Sequence, residues 1–321
     1  MNKGISFDPG GNPPRSTRSQ GKPAARSVHL LLLITALILS SCASLQSPTL
    51  RTGTRVLAAE TFLADIAQNV AGQRLHVDSL LSPGIDPHEF QPAPQDAIRI
   101  AQSQVFIING LDYETWLSSS LDAAGGQRIM VVASQGLPAA ASAQGAVDPH
   151  MWMDPAKAIQ YVNNIRDGLS QVDPAGRSIF ATNADAYIAR LKQLDASIRT
   201  QIAQIPPGRR LLVTNHDALG YFALAYGFQV VGAVIPSVTN EASPSAQQMA
   251  SLIDTVHRTG APAIFLDVSE NQNLARQIAS ATGAKVVTDL YVETLSAPEG
   301  PAPTYIAMLQ HDAASIVDAL K

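Results

Sequence analysis

The chain has 321 residues, of which 46% are hydrophobic and 15% charged, and its formal net charge is −4. This composition excludes an intrinsically disordered chain and allows a core large enough for two lobes. The single cysteine excludes a disulfide scaffold, and the low aromatic content of 5% favours helices packed on sheets over an all-β sandwich.

The first 41 residues are predicted to be a signal peptide. Val28–Leu39 is an apolar run that is too short to span a bilayer and is typical of a signal-peptide h-region. It runs into LSSC at residues 39–42, which resembles a bacterial lipobox. We therefore predict that Cys42 is the lipidated first residue of the mature protein and that residues 42–54 form a tether. The alternative is a buried thiol at the end of an uncleaved anchor helix.

Removal of this signal peptide makes the remaining chain more acidic. The segment holds five basic residues and one acidic residue, so 17 basic and 25 acidic residues remain, with a net charge of −8. An acidic chain without basic runs argues against nucleic acid as a partner and mildly favours a cationic ligand.

Strand and helix patterns alternate along residues 55–172, which we predict to form a first lobe. This alternation indicates βαβ units and a parallel sheet. The predicted strands are Val56–Ala59, His76–Leu81, Val105–Asn109 and Ile129–Ala133. The predicted helices are Thr61–Ala71, Pro94–Gln102, Tyr113–Ala124 and Ala156–Leu169. Residues 136–147 are low in complexity and are predicted to be a mobile loop.

A long helix is predicted over residues 173–206. Asp173 and Pro174 read as an N-cap followed by proline at the first helical position, and the breaker Pro-Pro-Gly at 206–208 ends the pattern. About 30 helical residues would extend about 45 Å. We interpret this helix as a rigid connection between two lobes, which would keep them from moving far; the alternative is an ordinary surface helix of one domain.

The alternation resumes over residues 207–321, the predicted second lobe. Its predicted strands are Leu211–Asn215, Gln229–Ile235, Ala263–Asp267 and Lys285–Thr288. Its predicted helices are Ala218–Tyr226, Pro244–Thr259, Asn271–Thr282 and Thr304–Leu320. The predicted fold is therefore α/β, with two βα lobes that each contain a parallel sheet and are joined by one long helix.

Three of the seven histidines lie where a predicted strand or loop meets a helix, namely His88, His150 and His216. Ligand sites in open α/β sheets gather at this carboxyl edge. His88 and His150 each follow Asp-Pro, a stiff turn that presents the imidazole at little entropic cost. Three neutral imidazoles suit a divalent metal such as Zn²⁺. The other histidines after the signal peptide are interpreted as surface or satisfied residues: His76, His257 and His311.

Several motifs occur in a characteristic order. They are TFLADI at 61–66, SPGIDPHEFQP at 82–92, INGL at 108–111, ETWL at 114–117, DPHMWMDP at 148–155, HDALGYF at 216–222, SPS at 243–245 and YVETLS at 291–296. The motif at 148–155 is the most specific. In these motifs the chain resembles the metal-binding solute-binding lipoproteins of bacterial zinc and manganese ABC importers, over nearly all of its mature length.

This resemblance implies one metal ion held between two lobes that a long helix connects. His88 and His150 would be the ligands from the first lobe and His216 the ligand from the second. A carboxylate would complete the site; the family usually has Asp where this chain has Glu293, and Asp289 is the alternative. The family's manganese receptors often have Glu at the third position, so His216 favours Zn²⁺.

The implied function is a receptor, not an enzyme, that captures Zn²⁺ outside the cytoplasmic membrane and delivers it to the permease of an ABC importer. It would be a monomer anchored by the lipid on Cys42, in the periplasm if the cell has an outer membrane. The alternatives are the same role for Mn²⁺ or Fe²⁺, a zinc hydrolase with an open water position, and a surface adhesin.

Overall fold

The computed structural model describes residues 53–142, 145–240 and 243–321, and Gly53–Lys321 form one compact unit. The predicted signal peptide, Cys42 and most of the predicted tether lie outside the described residues. Within the part of the chain that is described, no helix has both the length and the apolar character needed to cross a bilayer.

The first lobe is built on a four-stranded parallel sheet with the order β2-β1-β3-β4. Its strands are β1 (Val56–Ala58), β2 (Val77–Ser79), β3 (Val105–Ile108) and β4 (Ile129–Val132). Its helices are α1 (Thr61–Ala71), α2 (Pro94–Gln102), α3 (Leu117–Ala124) and α4 (Pro155–Val172). All four residues of β3 are buried, as expected of a central strand covered on both faces.

The long helix α5 extends over Arg177–Ile202, about 39 Å at 1.5 Å per residue. It is shorter than the predicted 173–206 because the chain forms a 3₁₀ turn before Arg177 and a turn after Ile202 instead of continuing as an α-helix. Asp173 leaves the helical conformation and pairs with Arg74 at 2.6 Å, and a 3₁₀ turn over Pro174–Gly176 leads into the helix. The helix packs against α1 and α4 of the first lobe.

The second lobe repeats the topology of the first, with a parallel sheet in the order β6-β5-β7-β8. Its strands are β5 (Leu211–Thr214), β6 (Gln229–Ala233), β7 (Ala263–Asp267) and β8 (Lys285–Leu290). Its helices are α6 (Gly220–Tyr226), α7 (Ala246–Thr259), α8 (Asn273–Thr282) and α9 (Tyr305–Leu320). The two matching sheets and the helix between them confirm the predicted α/β architecture.

The lobes share one apolar core. A single cluster of buried side chains runs from Val56 and Phe62 through Leu191 and Ile198 of α5 to Phe265 in β7. The last helix, α9, contacts α5 and α1 as well as β7 and β8. The core therefore continues across the lobe boundary, and the carboxyl ends of the two sheets face a common interior.

One predicted helix begins later than expected. Tyr113–Ala124 was predicted to be helical, but α3 starts at Leu117. Gly110, Leu111 and Asp112 have φ values of 87°, 60° and 59°, a left-handed stretch that a right-handed helix cannot include. The residues between β3 and α3 form a tight loop instead, and that loop borders the candidate site.

Candidate metal site

Four buried side chains converge between the lobes. His88, His150, His216 and Glu293 each offer a ligand atom, and these atoms all lie within 4.8 Å of one another. His88 follows β2, His150 lies between β4 and α4, His216 follows β5, and Glu293 follows β8. All four positions lie on the carboxyl side of the parallel sheets, where ligand sites of α/β folds form.

The two Asp-Pro-His motifs use the same local device. The Oδ1 atom of Asp86 accepts a hydrogen bond from the backbone N–H of His88 at 2.8 Å, and Asp148 does the same for His150 at 2.9 Å. An aspartate that bonds the backbone two residues on forms an Asx turn. The stiffness of these turns therefore comes from the aspartates that close them as well as from the prolines predicted to fix them.

Carboxylates orient two of the imidazoles from behind. His150 Nδ1 donates to Asp148 Oδ1 at 2.8 Å, and His216 Nδ1 donates to Glu270 Oε1 at 2.6 Å. A carboxylate acceptor places the proton on Nδ1 and leaves the Nε2 lone pair directed at the centre of the site. No motif in the sequence marks Glu270, although it lies just after strand β7, at the same edge of the sheet as the histidines.

Glu293 occupies the centre of this arrangement with its side chain fully buried. Its Oε1 atom lies 3.1 Å from His216 Nε2 and 3.3 Å from His150 Nε2, while the hydroxyl of Tyr113 donates to Oε2. The loop that carries it is held by Asp267, whose Oδ2 accepts the N–H of Glu293 at 3.1 Å and also that of Val292.

Burial and mutual charge set the protonation of the cluster. Burial lowers the pKa of His88 to about 3, and Glu293 only partly opposes this effect. Burial also acts to lower the pKa of His150 and of His216, but nearby carboxylates outweigh it and both pKa values are raised. Burial would raise the pKa of Glu293, but the three histidines outweigh it and lower that pKa well below its usual range.

The donor set fits a divalent metal. Both ring nitrogens of His88 are buried without a hydrogen-bond partner among the described residues, and Nε2 of His150 faces Glu293 Oε1 at 3.3 Å. Such orphaned polar atoms are costly in a folded protein unless something satisfies them. Three imidazole nitrogens and one carboxylate oxygen directed at one point can satisfy a single cation.

Asp289, the alternative fourth ligand, lies elsewhere. Its side chain is 56% exposed, and its carboxylate accepts a hydrogen bond from Ser315 of α9 at 3.1 Å. The structure thus brings Glu293, and not Asp289, to the three histidines.

The other histidines of the described residues lie away from the site. His76 and His257 are exposed. The side chain of His311 is 22% exposed, and its Nε2 forms a hydrogen bond with the backbone carbonyl of Asp289.

Comparison with known proteins gives consistent matches. The family model described as zinc-uptake complex component A, periplasmic, matches residues 56–319. The chain is 33% identical to the iron-binding protein YfeA of Yersinia pestis, over 79% of this chain and 82% of that protein. It is 30% identical to the manganese-binding lipoprotein MntA of Halalkalibacterium halodurans, over 90% of this chain and 97% of that protein.

Solved structures show the same fold. The periplasmic zinc binding protein TroA from Treponema pallidum superposes with a TM-score of 0.78 at 28% identity, over 84% of this chain and 99% of that one. A Mn-bound periplasmic metal binding protein from Candidatus Liberibacter asiaticus gives a TM-score of 0.75 at 28% identity, over 84% of this chain and all of that one.

Proposed function

The chain belongs to the family of zinc-uptake complex component A periplasmic proteins, and from this premise we propose that it is the solute-binding protein of an ABC-type importer. It captures one divalent metal ion outside the cytoplasmic membrane and delivers it to the importer's permease. The single observation that carries this proposal is the group of four buried ligand atoms within 4.8 Å of one another.

The ion lies between the lobes, with His88 and His150 as ligands from the first lobe and His216 and Glu293 from the second. Each lobe alone offers two ligands, so high affinity requires both. Asp148 and Glu270 orient the imidazoles of His150 and His216 and raise their basicity, as carboxylates behind metal-bound histidines do.

Zn²⁺ is the proposed cargo. Among first-row divalent ions the general order of affinity places Zn²⁺ well above Mn²⁺ and Fe²⁺, and nitrogen donors strengthen that preference. The relatives are named for iron and for manganese, and one similar structure for zinc. Mn²⁺ or Fe²⁺ is therefore the alternative cargo for the same receptor role.

We propose no catalytic activity for this site. Hydrolytic zinc sites keep three protein ligands and leave the fourth position to a water molecule. Here Glu293 fills that fourth position, and its second oxygen is engaged by the hydroxyl of Tyr113. The site is thus suited to holding an ion rather than to activating water.

The proposed anchor is the lipid on Cys42, which holds the protein at the outer surface of the cytoplasmic membrane as a monomer. The partner is the membrane permease of the importer. In a cell with an outer membrane, this location is the periplasm.

The experiment is metal analysis by native mass spectrometry, combined with competition titration of Zn²⁺ against Mn²⁺. The variants are His150→Ala, Glu293→Ala and, as a matched control, Asp289→Ala, which removes an exposed carboxylate four residues from Glu293. One ion per wild-type chain, lost in His150→Ala, supports the proposed role. A stoichiometry that His150→Ala leaves unchanged overturns the ligand assignment, and tighter Mn²⁺ than Zn²⁺ binding by the wild type overturns the choice of cargo.

Weakened binding in Glu293→Ala, with Asp289→Ala equal to wild type, supports Glu293 as the fourth ligand. The reverse pattern moves the fourth ligand to Asp289.

A further inference from the structure

Tyr113 contacts the first-lobe histidines His88 and His150 with its ring and Glu293 with its hydroxyl. We propose that Tyr113 determines the metal preference of the site by limiting Glu293 to one donor oxygen. This inference rests on the proposed function and adds the reason why the site selects zinc over manganese. Three features support the role of Tyr113: the position of its hydroxyl, the loop that carries it and the packing around its ring.

The first step is that the two oxygens of Glu293 have different partners. Oε1 faces the Nε2 atoms of His216 and His150 at 3.1 and 3.3 Å. Oε2 instead accepts a hydrogen bond from the hydroxyl of Tyr113. The carboxylate therefore directs one oxygen at the ligand centre and the other at the phenol.

The second step is the loop that presents Tyr113. Gly110, Leu111 and Asp112 all have positive φ, which is uncommon for residues other than glycine. The buried carboxylate of Glu114 accepts the backbone N–H groups of Asn109 at 2.5 Å and Gly110 at 3.1 Å, which closes this loop. A side chain added at Gly110 would meet Val132 at 2.5 Å, so the loop also fits closely against β4. Tyr113 is thus presented from a backbone with little freedom.

The third step is the packing of the ring. Tyr113 is 1% exposed, and its ring centroid lies 5.0 Å from that of His88, 5.9 Å from that of His150 and 4.8 Å from that of Trp152. The contacts to His88 and His150 are edge-to-face. A ring held on three sides cannot swing its hydroxyl away without opening the core.

The fourth step is the consequence for coordination. To chelate an ion with both oxygens, Glu293 would have to turn Oε2 towards the ion, which bends or breaks its hydrogen bond from the Tyr113 hydroxyl that the ring packing holds in place. A phenol that lost this bond would be a buried donor without an acceptor, which is costly. One carboxylate oxygen and three imidazole nitrogens make four donors, the number that Zn²⁺ prefers. Mn²⁺ favours more oxygen donors and gains least from this set.

The test is Tyr113→Phe, which keeps the ring and removes the hydroxyl. The matched control is Tyr187→Phe in α5, where a tyrosine that is 2% exposed loses a long hydrogen bond of 3.4 Å to Asp65, away from the ligands. Each purified variant is titrated with Zn²⁺ and with Mn²⁺ in competition. The absorption spectrum of bound Co²⁺ reports the coordination number, because tetrahedral Co²⁺ absorbs much more strongly than five- or six-coordinate Co²⁺. Thermal melting of the metal-free proteins reports folding.

We expect the ratio of Zn²⁺ to Mn²⁺ affinity to fall in Tyr113→Phe, by about the 10- to 100-fold by which removing a partner of a metal ligand alters metal affinity. We also expect weaker Co²⁺ absorption in that variant, because Glu293 becomes free to bind with both oxygens. Tyr187→Phe should match wild type in both measurements.

An unchanged affinity ratio and Co²⁺ spectrum in folded Tyr113→Phe overturn this inference and leave the proposed function intact. If Tyr113→Phe fails to fold, Co²⁺ absorption of the wild type decides: a weak spectrum of five- or six-coordinate type overturns the inference, and an intense tetrahedral one supports it. A wild-type protein that binds none of the three ions overturns the proposed function itself.

Discussion

Replacing Glu270 with glutamine should weaken metal binding although Glu270 is not a ligand. Its side chain is 2% exposed, and its two oxygens accept from His216 Nδ1 at 2.6 Å and from the backbone N–H of Asp267 at 2.8 Å. A glutamine has only one oxygen. If that oxygen faces His216, the amide NH₂ opposes the Asp267 N–H; if it faces Asp267, the NH₂ favours the wrong tautomer of His216.

In either orientation His216 loses its charge-assisted hydrogen bond, which is worth about 1.5–3 kcal/mol, because glutamine carries no charge. Converted at about 1.4 kcal/mol per factor of ten, this corresponds to a loss of about 10- to 150-fold in affinity for Zn²⁺. The assay is competition with a chromophoric chelator at fixed pH, with thermal melting to verify the fold. The control is Glu299→Gln, which makes the same chemical change at an exposed position. An affinity of Glu270→Gln within twofold of wild type would refute the orienting role.

Four further predictions concern pH, motion, anchoring and packing. Metal affinity should rise with pH through and above about 6.5, by up to about tenfold per pH unit for each proton displaced. The reason is that the pKa values of His150 and His216 are raised, so protons compete with the metal above the ordinary imidazole range. Metal titrations from pH 5 to 9 check this. Scattering curves of metal-free and loaded protein should nearly coincide, because α5 and the shared core resist a hinge motion, and a large domain closure would contradict this. Cys42→Ala should abolish labelling by a radioactive fatty acid in cells, whereas wild-type protein recovered wholly soluble and unlabelled would disprove the anchor. Gly168→Ala should lower the free energy of unfolding by about 1–3 kcal/mol in urea titrations, because the new methyl would meet Val131 at 2.2 Å.

Much of the fold could be predicted from the sequence because its signals are local. The bounds of α1 and α2 agree with the prediction, since their apolar residues recur with helical spacing and recognisable residues end them. The parallel sheets followed from strand–helix alternation. The prediction was wrong at the start of α3, where Glu114 bonds the backbone of Asn109 and Gly110 and closes a left-handed loop that helical periodicity cannot reveal.

The three candidate histidines were likewise visible in the sequence, because each follows a strand or an Asp-Pro turn and strand ends of a parallel sheet meet at one edge. Their contacts with Glu293 were not visible. The choice between Glu293 and Asp289 depends on where the chain leaves β8, and Asp267 decides this by binding the backbone beyond the strand.

The contacts that Tyr113 and Glu270 make in the site were decided only by the tertiary structure. Tyr113 reaches Glu293 across 180 positions of sequence, and Glu270 reaches His216 across 54. No local pattern encodes such pairs. The first depends on how the two lobes pack against each other, and the second on how β5 and β7 pair within the second lobe. The sequence by itself determined the elements and the candidate ligands, since these follow from residue type and periodicity. The tertiary structure decided which carboxylate lies beside the three histidines and which side chains hold His216 and Glu293, since these contacts join residues that are distant in the sequence.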